Sequence, residues 1–435
     1  MSERREAGDL PAGAVPPVTR ELMVATAHVV IVALVGAIAV LAWLLVFLAG
    51  TRLLWENDLI LANPWLAPAI CLPFSLLVGL LVKYRNAPTT LDESLLDSMS
   101  GDVSKLDWRT LPVHVVMAWA SLFSGAVLGP EGGIGGIAAK LAALYGEKAR
   151  VPLELRGRLV FSTISSAYNG LIANPLFTGV LGAELIPDRE VRVRNLPATL
   201  IGGSIGYLVF AATGSTGLQD YLGITPAAGY GAADVALVVV FGFVGLVLAV
   251  ILGLLFLVSA AVFGRFKGRE VERALAAGAI FSVVGMVAPI LLFSGETQVK
   301  EVVADPAAFG PAVLVGMAVV KLALLAVAFK SGFLGGPVFP AIFAAVCVSL
   351  AISLLLPGVP FEVVLAGVIA GFLVVLFKAP LMVILLTAVL LGATPDLMAL
   401  IVLATAAVMV VLPSVMAAVA SRRPPIERGE GATEA

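Results

Sequence analysis

The sequence predicts an all-α polytopic membrane protein folded as two related halves, and three observations carry that reading. Of the residues, 60% are apolar and only 13% are charged, against roughly 25% charged in soluble domains. Stretches without Asp, Glu, Lys or Arg follow one another down the chain: Leu22–Thr51, Leu59–Val82, Thr110–Pro130, Leu159–Ala183, Val235–Gly264, Leu275–Gly295, Ser331–Phe361 and Leu397–Ser421. A Gly/Pro-rich interruption of these stretches occurs twice with a similar rhythm. A helix crosses the hydrocarbon core in about 20 residues, so several stretches span it alone, and the longer ones hold tilted spans or two shorter helices. Their apolar character is continuous rather than alternating, which excludes a transmembrane barrel.

Residues 1–20 and 421–435 are polar and rich in Gly, Pro and Glu, and are expected to be disordered tails. The first apolar stretch is too long for a removable signal peptide and lacks a small-residue cleavage site. Arg4, Arg5 and Arg20 precede the first span, and Arg422, Arg423 and Arg428 follow the last; the positive-inside tendency puts both ends in the cytoplasm. No soluble domain follows the membrane part, so a regulatory module is expected on a separate chain. Trp55, Trp65 and Trp108 flank apolar stretches, as interface anchors do. Cys71 and Cys347 lie far apart in apolar stretches and read as packing residues rather than a disulfide. The net charge of −2 gives no sign of a nucleic-acid partner.

Ser124-Gly125 and Ser331-Gly332 stand 207 residues apart, and Pro175 in "NPLFTGVL" stands 205 residues from Pro380 in "APLMVILL". Two features at nearly one offset predict a duplication. The first membrane repeat covers 21–263, the basic segment "GRFKGREVER" at 264–273 connects, and the second repeat covers 274–420. Paired Gly/Pro interruptions in corresponding positions mark the binding site of an inverted-repeat transporter. Inversion places the basic connection outside, against its charge; the repeat is the stronger signal, since one short loop weighs little in topology.

Lipid tolerates no unsatisfied backbone, so non-helical segments at membrane depth line a cavity or are buried in protein. "GPEGGIGG" (Gly129–Gly136) leads into a helix starting near Glu131, and "GGPVFP" (Gly335–Pro340) leads into "AIFAAVCVSLAISLLL". Each break presents a helix N-terminus, with free N–H groups and the positive end of the macrodipole. Two such termini, approached closely through glycines, hold an anion without a buried Arg or Lys. The plainer use of these glycines is close helix packing. Glu131 is the one acid at either break, and an acid at membrane depth marks function by default. As a carboxylate it would occupy the anion site itself; protonation, or displacement by the permeant anion, would open the path. A simple first-turn cap, worth under about 1 kcal/mol, would not need the flanking glycines.

These residues resemble the CLC family of chloride channels and chloride/proton antiporters. "LPVHVVMAWASLFSGAVLGPEGGIGG" (Leu111–Gly136) is similar to the family segment with G-[KR]-E-G-P, and "NGLIANPLFTGVLGAEL" (Asn169–Leu185) to the helix with N-A-P-L-A-G. "KLALLAVAFKSGFLGGPVFPAIFAA" (Lys321–Ala345) is similar to the segment with G-x-F-x-P, and "FKAPLMVILLTAVLLG" (Phe377–Gly392) to the later H-A-P-L-T helix. The resemblance implies a CLC-type inverted repeat of tilted and half-spanning helices, in a homodimer with one pore per subunit and no cofactor. It implies Glu131 as the gate, with Gly129, Pro130, Gly132 and Gly133 around it. Gly336, Pro337, Val338, Phe339 and Pro340 match the second anion-binding loop, which acts through backbone N–H groups. The implied cargo is chloride or another small anion, moved passively or in exchange for protons.

The departures bear on the cargo. Pro130 replaces the basic residue before the gate, Gly133 the proline after it, and Val338 stands where Phe is usual. The family's G-S-G-I-P has its nearest match in "YRNAP" (Tyr84–Pro88), without the serine that helps coordinate chloride. The internal proton-pathway glutamate aligns with Leu185, next to Glu184, and no Tyr stands near "LPSV" (Leu412–Val415). Backbone amides are then the expected ligands, and fluoride or nitrate fit as well as chloride. Glu184 is the candidate to join Glu131 in a proton path, and the missing internal carboxylate tilts the reading toward uncoupled or atypically coupled transport.

Other features carry less. His28 and His114 have no partner at metal spacing and are expected to be solvated or hydrogen-bonded on helices. "GGSIG" (Gly202–Gly206) fits the G-x-S-x-G of a serine hydrolase, but both histidines precede Ser204, unlike the base of rhomboid-type membrane proteases. Lys140, Lys321, Lys330, Lys378 and Asp396 interrupt apolar stretches and are expected to snorkel at helix ends, with Lys330 and Lys378 able to add positive potential to an anion path. "SGETQ" (Ser294–Gln298) is expected to be a loop between helices.

Overall fold

Apolar chain that must satisfy its own backbone becomes helix. The computed structural model describes residues 17–89, 106–214, 218, 222–227 and 229–421, and both expected tails lie almost wholly outside them. The first half runs α1 (Pro17–Trp55), a short α2 (Asp58–Ala62), α3 (Ala67–Arg85), α4 (Leu111–Phe123), α5 (Glu131–Lys148), α6 (Leu153–Ile172), α7 (Phe177–Leu185) and α8 (Arg189–Ala212). Then follow α9 (Ala232–Phe263), α10 (Glu270–Val287), α11 (Gln298–Ala304), α12 (Pro311–Ser331), α13 (Val338–Leu355), α14 (Phe361–Phe377), α15 (Pro380–Leu390) and α16 (Pro395–Ser421). Among the described residues, seven helical segments are long and apolar enough to cross a membrane. The protein is a multi-pass membrane protein.

Helix order and packing pair the two series: α1 with α9, α3 with α10, and α4 through α8 with α12 through α16. In the first series α1, α6 and α8 pack together, and in the second α9, α14 and α16 do the same. The counterparts α3 and α10 pack on each other, as do α7 and α15. On this pairing we set the start of the second half at α9, not at residue 274. The basic segment 264–273 then lies inside that half, between the counterparts of α1 and α3, and opens with a 3-10 turn (Gly264–Phe266). An inverted second half puts it on the side opposite the α1–α3 connection. If the N-terminus is cytoplasmic, as its arginines lead one to expect, that side is cytoplasmic too, and repeat and charge no longer conflict.

The seams are made of small residues. A Cβ on Gly202 or Gly206 of α8 would strike the carbonyls of Ser162 and Ser166 on α6. The related seam in the second half sets Gly242 and Gly245 of α9 against Gly371 and Val368 of α14. Such contact lets backbones approach where apolar burial offers no preference for protein over lipid. "GGSIG" is therefore a packing motif; Ser204 is exposed in mid-helix. His28 bonds the hydroxyl of Tyr145 at 2.8 Å and His114 is engaged elsewhere, so neither is placed as its base.

Several polar and aromatic residues sit deeper than expected. Lys321 is fully buried; its ammonium donates to the carbonyls of Leu291 (3.2 Å) and Leu292 (2.8 Å) and lies 4.5 Å from the Phe343 ring centroid. Lys140 is buried as well. Neither snorkels, because each finds acceptors inside. Lys330 and Lys378 are exposed. Trp55 is an interior brick rather than an interface anchor: it is buried, donates to the carbonyl of Phe123 at 3.0 Å and meets Phe293 edge-on. Trp65 is exposed. Cys71 and Cys347 are buried and free.

Replacing Gly206 by Val is expected to force α6 and α8 apart and cost about 3 kcal/mol, read as a lowered thermal midpoint in detergent by size-exclusion chromatography. Ser204→Ala is expected to leave that midpoint unchanged.

Candidate functional site

Each half builds its break the same way. Gly125 (φ 80) turns the chain after α4, and Gly332 (φ 95) caps α12 in the left-handed region. These are the Ser-Gly pairs seen in the sequence, and glycine is the residue that takes this conformation freely. The two chains then meet. Gly129 N–H donates to the Gly336 carbonyl and Gly336 N–H to the Gly129 carbonyl, both at 2.8 Å. Leu334 N–H adds a bond to Ser121 Oγ at 2.9 Å. Two residues beyond the bridge on each side, α5 begins at Glu131 and α13 at Val338.

The Glu131 carboxyl lies between these helix starts, with the residue only 3% exposed. Oε1 accepts the Val338 N–H at 2.7 Å, and the amides of Phe339 and of Glu131 itself also act on the carboxyl group. Oε2 is buried without a hydrogen-bond partner. A Cβ on Gly129 or Gly336 would strike this carboxyl group, and one on Gly132 would strike the backbone of Gly335. The site is thus a pocket of backbone donors and helix dipoles, occupied by the protein's own carboxyl group as acceptor.

The nine residues expected to bind through N–H groups all lie at the paired breaks, but their amides are not equivalent. Pro130, Pro337 and Pro340 have no N–H to offer; the first two shape the turns into α5 and α13. The amides of Gly129 and Gly336 are spent on each other, and that of Gly133 goes to the Pro130 carbonyl at 3.0 Å. Val338 and Phe339 are the donors that face the carboxylate.

Sequence reasoning missed the supports. His114, fully buried on α4, has Nε2 3.1 Å from the Gly133 carbonyl and Nδ1 2.9 Å from Lys140 Nζ. An ammonium is only a donor, so Nδ1 accepts and the ring proton sits on Nε2, where it serves the carbonyl. Tyr168 Oη–H, on α6, donates to the Glu131 carbonyl at 2.8 Å. Its signal was the run "STISSAYNG", unusually polar for a buried stretch. Glu184 is placed elsewhere. Its two oxygens accept the N–H groups of Leu381 and Met382 at 2.7 and 2.8 Å, capping α15. Tyr84–Pro88 lies at the C-terminus of α3, where Asn86 is left-handed; that end offers carbonyls rather than anion donors. Leu412–Val415 lies within α16.

A family model described as "Voltage gated chloride channel" matches residues 74–412. The chain belongs to the voltage-gated chloride channel family. It is similar to the putative ion-transport protein YfeO of Escherichia coli (strain SMS-3-5 / SECEC), 25% identical over 325 residues, which cover 73% of this chain and 74% of that one. The YfeO protein of Shigella boydii serotype 4 is 25% identical over 310 residues, covering 69% and 71%. Among solved structures, the fold is similar to that of a slow cyanobacterial Cl-/H+ antiporter, with TM-score 0.76 and 17% identity, covering 90% of this chain and 94% of that one. It is also similar to a CLC-type fluoride/proton antiporter, with TM-score 0.69, 18% identity and coverage of 90% and 95%. Membership places the protein in a family of anion channels and transporters.

The His114–Lys140 pair is open to a double-mutant cycle. His114→Phe strands a buried ammonium and is expected to cost about 3–5 kcal/mol. Lys140→Met leaves only a ring nitrogen unpaired, about 1–3 kcal/mol. The double variant is expected to melt above His114→Phe alone, measured by the same thermal assay.

Proposed function

We propose that this chloride-channel-family protein carries a small inorganic anion, chloride foremost, along a path whose gate is Glu131. The observation that carries the reading is the 2.7 Å bond from the Val338 N–H to Glu131 Oε1: the acid of one half sits on the helix start of the other, where a permeant anion would find the same donors. When protonated, the side chain loses the charge that holds it there, and an anion takes its place. Release of the carboxylate is thus favoured by acid, and the flux is expected to rise as pH falls. Fluoride is the second reading. It is supported by backbone-only donors, which suit a small hard anion, and by the likeness to a fluoride/proton antiporter. The homodimer implied by the family resemblance belongs to the same proposal.

Reconstitution into liposomes tests this. Chloride, fluoride and nitrate flux are followed together with internal pH, for wild type and Glu131→Ala. Flux that depends on pH in the wild type and loses that dependence in Glu131→Ala is the expected result. Proton movement tracking the anion and vanishing in the variant would mean exchange; anion flux alone would mean a channel. No flux of any anion, or unchanged pH dependence in Glu131→Ala, would sink the reading. Gly336→Ala is expected to dislodge the carboxyl group and mimic low pH, raising flux at neutral pH several-fold.

A further inference from the structure

The segment after α10, expected only as a loop, is packed against both breaks. Phe293 N–H donates to the Gly125 carbonyl at 3.3 Å. Gly295 (φ 90) sits so close to Phe343 of α13 that a Cβ there would strike the ring. Between these points and α11 stands Glu296, whose carboxylate is near enough to Glu131 for the two like charges to interact. On its other side Glu296 lines a cavity of about 580 Å³, shared with Thr51 and Arg52 of α1, Glu56 just after it, and Gln298 and Glu301 of α11. Glu131 does not line it. The gate acid is sealed, and its neighbour is not.

We propose that Glu296 loads the proton onto the gate, taking it from water in this cavity and passing it to Oε2 of Glu131. The O–H bond of Glu296 breaks and one forms on Oε2, the oxygen without a hydrogen-bond partner. The electron pair stays on Glu296, which returns to a carboxylate and is reprotonated from the cavity. The charged groups on the surrounding elements are Arg52 on α1, Glu56 just after it, Lys300 and Glu301 on α11, Glu131 on α5, and Lys321 of α12, which lies over the Phe343 ring and is tied to the carbonyls of Leu291 and Leu292. In its loop outside the spanning helices, Glu296 is raised by burial to about 7, with Lys300 opposing, so both forms are present near neutral pH.

The proposal rests on Glu131 being the gate, and its test separates the two. Liposomes carrying wild type, Glu296→Gln, Glu296→Asp, Glu131→Ala or Glu296→Gln/Glu131→Ala are stepped from neutral to acidic external pH while chloride flux is followed. Removing the neighbouring negative charge eases ionisation of Glu131. Glu296→Gln is therefore expected to move the acid midpoint of flux down by about half to one pH unit and slow the response to the step several-fold. Glu296→Asp is expected to restore most of both, and the double variant to match Glu131→Ala. A normal midpoint and response in monodisperse Glu296→Gln would overturn the proposal. So would an equal loss of flux at every pH, or a shift that persists without Glu131. If Glu296→Gln is not monodisperse, Glu296→Asn is read by the same criteria. Unaltered pH dependence in Glu131→Ala alone would overturn the gate reading instead.

Discussion

Two hydrogen bonds between Gly129 and Gly336 hold the helix starts of both halves at one place, and the rest of the site depends on them. They are made between glycines because Glu131 and Gly335 leave no room for a side chain at Gly129, Gly132 or Gly336. With the bridge in place, the first residue of α13 cannot avoid the carboxyl of the first residue of α5. Every outer layer serves this contact. Ser121 ties the approach to Gly335, Tyr168 steadies the Glu131 peptide, and His114 with Lys140 holds the first turn of α5.

No Lys or Arg side chain bonds the carboxylate among the described residues. The two buried ammonium groups, Lys140 and Lys321, are spent on a ring nitrogen and on two backbone carbonyls of the turn after α10. On the proposed reading, a fixed cation beside the anion would bind it tightly and release it slowly, whereas amide dipoles would hold it weakly enough to let go. The arrangement suits passage rather than storage.

Local rules made the breaks legible. Glycine and proline in an apolar chain, an acid in the first turn and a recurring offset mark α5, α13 and their kinship from residues alone. What stayed hidden was pairwise. Hydropathy treats a lipid-facing and a protein-facing helix alike, so it did not show that Trp55, Lys140 and Lys321 are interior or that Ser204 faces out. The basic 264–273 segment looks like a join by charge, whereas packing pairs α9 with α1 and leads us to set the second half's start earlier. Glu184 has the right residue type for a relay, yet its partners, Leu381 and Met382, lie 197 and 198 residues on.

The repeat offset also says which residue in the second half is the twin of Glu131. It is Val338, whose own N–H receives the carboxylate. A duplicated chain that kept an acid at both positions would set two like charges over one pair of helix starts, and neither could settle there without expelling the other. Perfect symmetry is therefore unstable at this point. Joining the halves in one polypeptide is what lets a single residue break the symmetry, one twin retaining the side chain and the other supplying only its backbone.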